Sequence, residues 1–287
     1  MVDIIHGATG AQGSPVLSAL TAAGRTAIAA VRHPEAVPGG IAARQVDLAS
    51  ADSLASAYEG ADGVFVHLPM GAPEAAAVQA RAVVEAVTRA RPGRVVISTS
   101  GQIVDRPDSP LQATAGSPIM TLIDGVTGSG IPTAVVAPRL YLENLLLPVV
   151  LAPAHQEGVL RYPLPASFPV SWSSHLDVAD VVARLLMDTS VSGTVAVGHR
   201  PGLTGVDLAA AFSNHLGREV HFEAITPEAF GGLITPLFGP AAAPVVELYR
   251  ALNAQDGCII AEDSSAQELL GLRPRPIEQW LKDLAVS

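Results

Sequence analysis

The sequence predicts an α/β protein: a doubly wound parallel sheet with helices on both faces, followed by a small, mostly helical C-terminal portion. Three observations carry this. Short apolar runs alternate with alanine-rich stretches of helical period through the first half of the chain, which is the βαβ signature of a parallel sheet. A glycine-rich segment, Gly7 to Gly13, sits at the first strand-to-helix junction. From about Ala152 the alternation weakens, and prolines cluster between Pro148 and Pro169 and again between Pro236 and Pro244.

The elements follow in order. Val2 to His6 is an apolar strand running into glycines, and Ser14 to Ala23 has the helical period Val16, Leu17, Leu20, Ala23, stopped by Gly24. Thr26 to Val31 is the second strand and Arg44 to Val46 a short third, followed by a brief helix from Ser53 to Tyr58. Gly63 to His67 is the fourth strand. Ala72 to Ala90 is a long helix with Val78, Ala82, Val83 and Val87 on one face. Arg94 to Ser98 is strand five, Ile119 to Thr127 a helix, Pro132 to Ala137 strand six. Ser173 to Met187 and Gly193 to Val197 read as a helix and a last strand, and helical patterns run from Gly205 to Leu216 and from Ser264 to Leu284. Residues 1–151 are thus expected to form the sheet domain. Residues 152–287 mainly cover its C-terminal edge as a substrate portion, with 170–198 returning to the main domain.

Composition narrows the function. At 287 residues, 49% hydrophobic and 15% charged, the chain has material for a full core and too little charge for disorder. A net charge of −10 is the wrong sign for tracking phosphates, so nucleic acid is not an expected partner. The beginning lacks a basic and then apolar leader. The greasiest later stretch, Leu140 to Ala154, is broken by Glu143, Asn144 and prolines. A soluble, cytoplasmic protein that does not bind membranes is expected, either monomer or homodimer. One cysteine, Cys258, excludes an internal disulfide, and the eight histidines offer no zinc spacing, so no metal is expected. The basic residues are sixteen arginines and one lysine, Lys282.

Gly7-Ala8-Thr9-Gly10-Ala11-Gln12-Gly13 has the spacing Gly-x-x-Gly-x-x-Gly between strand and helix. Its glycines serve a tight turn, close approach to a pyrophosphate and helix–strand packing, while the helix N-terminus offers N–H groups to the phosphates. This points to a Rossmann domain binding a dinucleotide; the bland alternative is an ordinary βα turn. A chain selecting NAD places a carboxylate at the end of strand two, whereas here Val31-Arg32-His33-Pro34 precede the first acid, Glu35. An arginine matches a 2′-phosphate by forked, charged hydrogen bonds. NADP, as NADPH, is the expected cofactor, unless Arg32 is only a solvated surface residue.

Together these segments resemble the NmrA-like type of atypical short-chain dehydrogenase/reductase. The resemblance rests on the loop, the Val-Arg-His-Pro after strand two, Val46-Asp47-Leu48, Gly63-Val-Phe-Val-His-Leu-Pro69, Val95-Val-Ile-Ser-Thr-Ser100 and Pro138-Arg-Leu-Tyr-Leu-Glu-Asn144. The last is the most specific, and Gly193 to Leu216 also looks like that family's closing strand and helix. The resemblance covers nearly the whole chain. It implies a Rossmann domain binding NAD(P)H, with Thr9 to Gly13 on the pyrophosphate, Arg32 on the 2′-phosphate and Asp47-Leu48 at the adenine edge. His67-Leu68-Pro69, Ser98-Thr99-Ser100 and Pro138 to Asn144, including Tyr141, would surround the nicotinamide; Gly7 and His33 complete the expected cofactor set.

The departures matter as much. Ordinary short-chain enzymes use Tyr-x-x-x-Lys, in which lysine tunes the tyrosine as a proton donor. The tyrosines at 58, 141, 162 and 249 have no such lysine, and the stretch Ser117-Pro-Ile-Met-Thr121 lacks the lysine that many NmrA-like relatives keep. The family also contains regulators with little or no catalysis. Tyr141 either orients a carbonyl or quinone oxygen or packs beside the nicotinamide. Ser98, Thr99 and Ser100 either meet a ligand at the strand end or make turn hydrogen bonds. His175 either lines the pocket or is a packed histidine. Asp177 reads as a helix N-cap, and the Asn144 amide as a bridge from the strand-six turn to neighbouring backbone. The expected function is NADPH-dependent hydride transfer to a small conjugated carbonyl or quinone-like acceptor without a Tyr–Lys pair, with Tyr141 and Ser100 as catalytic candidates. The alternatives are an NADP(H)-binding redox sensor that regulates a partner, or a non-redox enzyme on the same fold.

Overall fold

In the computed structural model, which describes residues 1–286, the apolar runs become the strands Val2–His6 (β1), Thr26–Val31 (β2), Ala43–Gln45 (β3), Gly63–His67 (β4), Val95–Ser98 (β5), Thr133–Pro138 (β6), Val159–Tyr162 (β7), Gly193–Val197 (β8) and His221–Ala224 (β9). Seven of them form one sheet in the order β3-β2-β1-β4-β5-β6-β8, with every pairing parallel. The order reverses between β1 and β4. Ligands bind at that point in such sheets, outside the C-terminal ends of the strands.

Strand alternation sends side chains to opposite faces, and each face is covered by helices. On one face Ile5, Phe65, Val96 and Val136 pack with Val16 and Leu20 of the helix Gly13–Ala22 (α1), and with Val178, Val182 and Leu185 further along the chain. On the other, Ile4, Val64, Val66 and Ile97 meet the helices Ala51–Tyr58 (α2), Pro73–Ala90 (α3) and Pro118–Gly128 (α4) through Leu54, Val83, Val87 and Leu122. The chain then continues through Pro148–Gln156 (α5), His175–Met187 (α6), Gly205–Leu216 (α7), Pro227–Phe238 (α8), Ala242–Asn253 (α9), Ala266–Leu270 (α10) and Ile277–Asp283 (α11). A third apolar cluster, around Tyr162, Trp172, Phe212, Phe230, Tyr249 and Trp280, joins these later elements. The stretch Pro227–Asn253 is apolar enough by length and composition to cross a membrane. Here it is α8 and α9 packed on each other, so closely that a side chain on Gly231 would meet Val246 at 2.4 Å.

Three expectations change. The C-terminal portion carries a two-stranded parallel sheet, β7 with β9. Each strand has only four residues and β9 is mostly exposed, too short a run for its alternation to stand out in the sequence. The pattern from Ser264 to Leu284 is split into α10 and α11 by Pro274 and Pro276, which cannot donate to a helix ladder. Asp177 is not the N-cap of α6: Ser174 is. The Ser174 hydroxyl accepts from the Asp177 N–H at 3.0 Å, and the Ser174 N–H donates to the Asp177 carboxylate at 2.9 Å, a reciprocal capping box. The role of Asp177 is structural, as expected, but from the third helical position.

At the end of the sheet remote from the ligand edge, Arg25 donates twice to Asp3, 2.7 Å to each oxygen, and both side chains are buried. Gly63 has no side chain because Asp3 Oδ1 would lie 2.4 Å from one. Removing only the cation leaves a buried, unpaired carboxylate. Arg25→Ala is therefore expected to cost about 3–5 kcal/mol in denaturant unfolding; a loss below about 1 kcal/mol, as for an exposed pair, would contradict this.

Candidate functional site

The glycine loop is built by close backbone approach. Gly7 has φ +59° and accepts from the Gly10 N–H at 2.7 Å. Gly13 opens α1 so close beneath that turn that a Cβ there would sit 2.3 Å from the Gly7 carbonyl oxygen. Gly10 faces outward: its missing Cβ would approach only that same oxygen, at 3.2 Å. Thr9, Gly10 and Ala11 are exposed. The N–H groups of Ala11, Gln12 and Gly13 have no backbone acceptor among the described residues. An exposed helix N-terminus with unspent donors is the physical requirement for a phosphate, and this loop meets it.

Gln12 holds the N-cap position of α1 but makes no side-chain cap. Its amide reaches across the sheet edge instead. Ser98 donates to Gln12 Oε1 at 2.8 Å, the Tyr141 hydroxyl donates to the same oxygen at 3.3 Å, and Gln12 Nε2 donates to Ser100 Oγ at 3.0 Å. One side chain thus ties the glycine loop to the ends of β5 and β6. Ser100 takes a left-handed conformation, φ +55°, unusual for a residue with a Cβ and costing about 1 kcal/mol. The following Gly101 passes the Arg139 carbonyl where a Cβ would be 3.0 Å away.

The other expected residues fall into place unevenly. Arg32 is exposed beyond β2 with no carboxylate partner among the described residues, because Glu35 pairs with His33 at 3.0 Å. Exposed Asp47 shapes the turn into α2: its carboxylate accepts from the Ala49 N–H at 2.9 Å, while Leu48 packs inward. His67 ends β4, and its Nε2 lies where a Cβ on Gly7 would be 2.5 Å away. That nitrogen is buried without a partner, and burial lowers the imidazole pKa. Leu68 is half-buried and Pro69 exposed beyond it. Thr99 is fully buried, and its hydroxyl finds no partner among the described residues. Pro138 is buried at the end of β6.

Asn144 departs from its expectation. Its backbone N–H closes a turn onto the Tyr141 carbonyl at 3.1 Å, and its side chain, near the buried Tyr162 hydroxyl, makes no hydrogen bond to backbone among the described residues. It faces the aromatic cluster of the C-terminal portion.

Two further residues complete the cleft. The His175 ring lies on Tyr141 with centroids 4.2 Å apart, and its Nδ1 is buried without a partner. Glu143 accepts from the His175 N–H at 2.9 Å and from Trp280 Nε1 at 3.2 Å, and burial raises its carboxyl pKa. Glu143 stood inside a motif without a role of its own, and its partners are far away in the chain. Burial, with His67 nearby, pushes His175 down to about 4; burial raises the Tyr141 hydroxyl. At neutral pH the cleft therefore presents uncharged imidazoles and an uncharged phenol. Lys282 is exposed on α11.

The family model described as the NmrA-like family matches residues 3–281. The chain belongs to the NmrA-like family. An NAD(P)H azoreductase from Xenophilus azovorans is 30% identical over 230 residues, 78% of this chain and 77% of that protein. Two solved structures share the NmrA-like fold seen here. A nucleoside-diphosphate-sugar epimerase from Staphylococcus aureus has a TM-score of 0.79 at 19% identity, covering 98% of this chain and 100% of that one. The triphenylmethane reductase of Citrobacter sp., complexed with NADP(H), has a TM-score of 0.78 at 19% identity, covering 98% and 99%.

Two predictions test this geometry. Gly13→Ala is expected to destabilise by about 1–3 kcal/mol or more through overpacking against Gly7, whereas Gly10→Ala changes stability little; similar unfolding midpoints for the two variants would refute the packing. The second uses pH. His6, buried and hydrogen-bonded to Tyr58 at 2.7 Å, is pushed by burial down to about 3, and His175 to about 4, both from an ordinary 6.5. Below that ordinary value the unfolded chain binds protons that the fold refuses. Stability is then retained above about pH 6.5 and lost as pH falls toward 4, by about 1.4 kcal/mol per unit for each histidine. The raised Glu143 carboxyl works in the opposite direction, gaining stability as pH falls. Urea unfolding at pH 7 and 5 measures the slope, and His6→Gln should reduce it by one histidine's share. Equal stability at the two pH values would contradict the burial of these rings.

Proposed function

We propose that this protein is an NADPH-dependent oxidoreductase that passes hydride to a small conjugated carbonyl, quinone-like or dye-like acceptor. The observation that carries the reading is the pairing of an exposed α1 N-terminus, whose Ala11, Gln12 and Gly13 N–H groups lack backbone acceptors, with an exposed Arg32 that no carboxylate neutralises. The first suits a pyrophosphate and the second a 2′-phosphate. The azoreductase and the triphenylmethane reductase support it, since both are named as reductases of conjugated dyes or azo compounds.

When bound, a reduced nicotinamide supplies hydride to an electron-poor centre. The chain's part is to position and to exclude water. Gln12 holds Ser98, Ser100 and Tyr141 in one arrangement; the Tyr141 ring, with His175 on it, forms an apolar wall for a flat acceptor. No Tyr–Lys acid is present in the sequence, so the acceptor must carry its developing negative charge by conjugation and draw its proton from water. Simple ketones, whose alkoxides need a proton as hydride arrives, are poor substrates on this reading. The same positions at the ends of β4, β5 and β6 are proposed to hold the nicotinamide.

Calorimetry with NADPH and NADH tests the cofactor. Arg32→Ala should weaken NADPH about 10–100-fold, the worth of a charged hydrogen bond, and leave NADH unchanged. Gly10→Val should abolish binding of both with native circular dichroism. Equal affinity for the two cofactors in the unmutated protein would remove Arg32 from the site. Tight NADPH binding with no NADPH oxidation across quinones, azo dyes and triarylmethane dyes would overturn the enzyme.

A further inference from the structure

We propose that the His175 imidazole donates a hydrogen bond to the oxygen on which the acceptor's negative charge develops, making it a catalytic residue for quinones and conjugated carbonyls. The inference rests on the reductase reading and adds to it the group that recognises oxygen-bearing acceptors.

Two of the hydroxyl donors at the strand ends, Tyr141 and Ser98, are spent on the Gln12 carbonyl oxygen, and Ser100 accepts from the Gln12 amide. Among the buried side-chain atoms that find no partner, His67 Nε2, Thr99 Oγ1 and His175 Nδ1 gather at the same edge of the sheet. A buried polar atom without a partner costs about 1–3 kcal/mol, and a cluster of them marks where a ligand supplies the missing bonds. His67 Nε2 sits against Gly7, the first glycine of the phosphate loop, and so faces the cofactor side.

His175 is held for the other task. Its ring is set on Tyr141 at 4.2 Å, and its backbone N–H is fixed by Glu143 at 2.9 Å. It is the first residue of α6, a 13-residue helix whose N-terminal donors already serve Glu143 and the Ser174–Asp177 capping box, so the backbone that carries the ring is fixed. Its imidazole is uncharged at neutral pH and can donate a hydrogen bond without giving up its proton.

The balance is simple. The cofactor named above provides two electrons and one hydrogen, and the acceptor forms a C–H bond with them. Hydride enters at a carbon conjugated to the carbonyl, so the C=C π pair becomes the new C=C bond of the enolate. The C=O π pair moves to oxygen, which accepts the hydrogen bond from His175; in a quinone the carbon-bound proton is afterwards released to water as the second carbonyl enolises. Water then protonates that oxygen to a hydroxyl, and His175 keeps its proton throughout.

His175→Phe preserves the ring on Tyr141 and the backbone bond to Glu143 while removing the donor. Menadione and malachite green separate the roles, because hydride neutralises the triarylmethyl cation of the dye and no oxyanion forms. For menadione kcat/KM should fall about 10–100-fold, as for loss of a hydrogen bond to a charged group, with malachite green unchanged and His175→Gln restoring part of the menadione rate. Independently of turnover, 4-nitrophenolate should bind the NADP⁺-saturated protein about tenfold more weakly in His175→Phe, read from its absorbance shift. Equal loss for both acceptors, or unchanged menadione turnover and nitrophenolate affinity, would overturn the proposal. If the unmutated protein reduces neither probe, the reductase reading fails, and the nitrophenolate titration still decides whether His175 holds an oxyanion.

Discussion

The contact on which the site depends is the one between Gly13 and Gly7. A helix can begin this close beneath a strand-end turn only if its first residue has no side chain, since a Cβ would lie 2.3 Å from a carbonyl oxygen. That approach sets the direction of α1, and the direction leaves the N–H groups of its first turn facing out of the sheet edge. It also decides where Gln12 points. A residue at an N-cap normally spends its side chain on its own helix; here the Gln12 amide is aimed across the crevice at Ser98, Ser100 and Tyr141. The glycine loop and the ends of β5 and β6 are therefore joined by a single carboxamide.

A second junction ties that unit to the C-terminal portion. Glu143 and Asn144 are adjacent in the chain and point to different partners. Glu143 binds the start of α6 and the indole of Trp280 on α11, while Asn144 meets Tyr162 on β7, whose hydroxyl bonds to that of Tyr249 on α9. A buried carboxylate that accepts two hydrogen bonds on one oxygen, with the other unpaired, is expensive unless it fixes something. What it fixes is the backbone of His175, and through it the ring stacked on Tyr141. One side chain thus links α11 to the backbone that carries the ring against Tyr141.

The parts legible from sequence were those carried by local pattern. All seven strands of the main sheet, and the helices against them, follow from short apolar runs and from glycine and proline stops, because the residues that decide them are neighbours in the chain. The glycine loop is legible for the same reason: its three positions each meet a steric demand. The site beyond the loop is different. Gln12 occupies a variable position of the motif, and its role exists only once Ser98 and Tyr141 are folded beside it. Glu143 meets His175 across 32 residues and Trp280 across 137, and no spacing rule reaches that far. Asn144 shows the same limit, since its neighbour is a tyrosine in a strand too short to be seen. Ser174, rather than Asp177, caps α6 because both ends of a capping box are polar and only the backbone geometry shows which residue lies outside the helix.

The electrostatics of the cleft close the argument about its chemistry. A proton delivered during hydride transfer requires an acid whose pKa lies near the working pH. Here burial moves the rings the wrong way, the histidines downward and the Tyr141 phenol upward, with the only lysine exposed on α11; Glu143, the carboxyl that burial moves upward, is already engaged by the His175 N–H and Trp280. On the proposed reading, such a site is ill suited to simple ketones. It is well suited to molecules that hold a negative charge by themselves, or that begin with a positive one, and for these an apolar wall and uncharged donors are enough. The absence of such a lysine is consistent with this: the carboxyl beside these rings, Glu143, already accepts from the start of α6 and from Trp280 on α11.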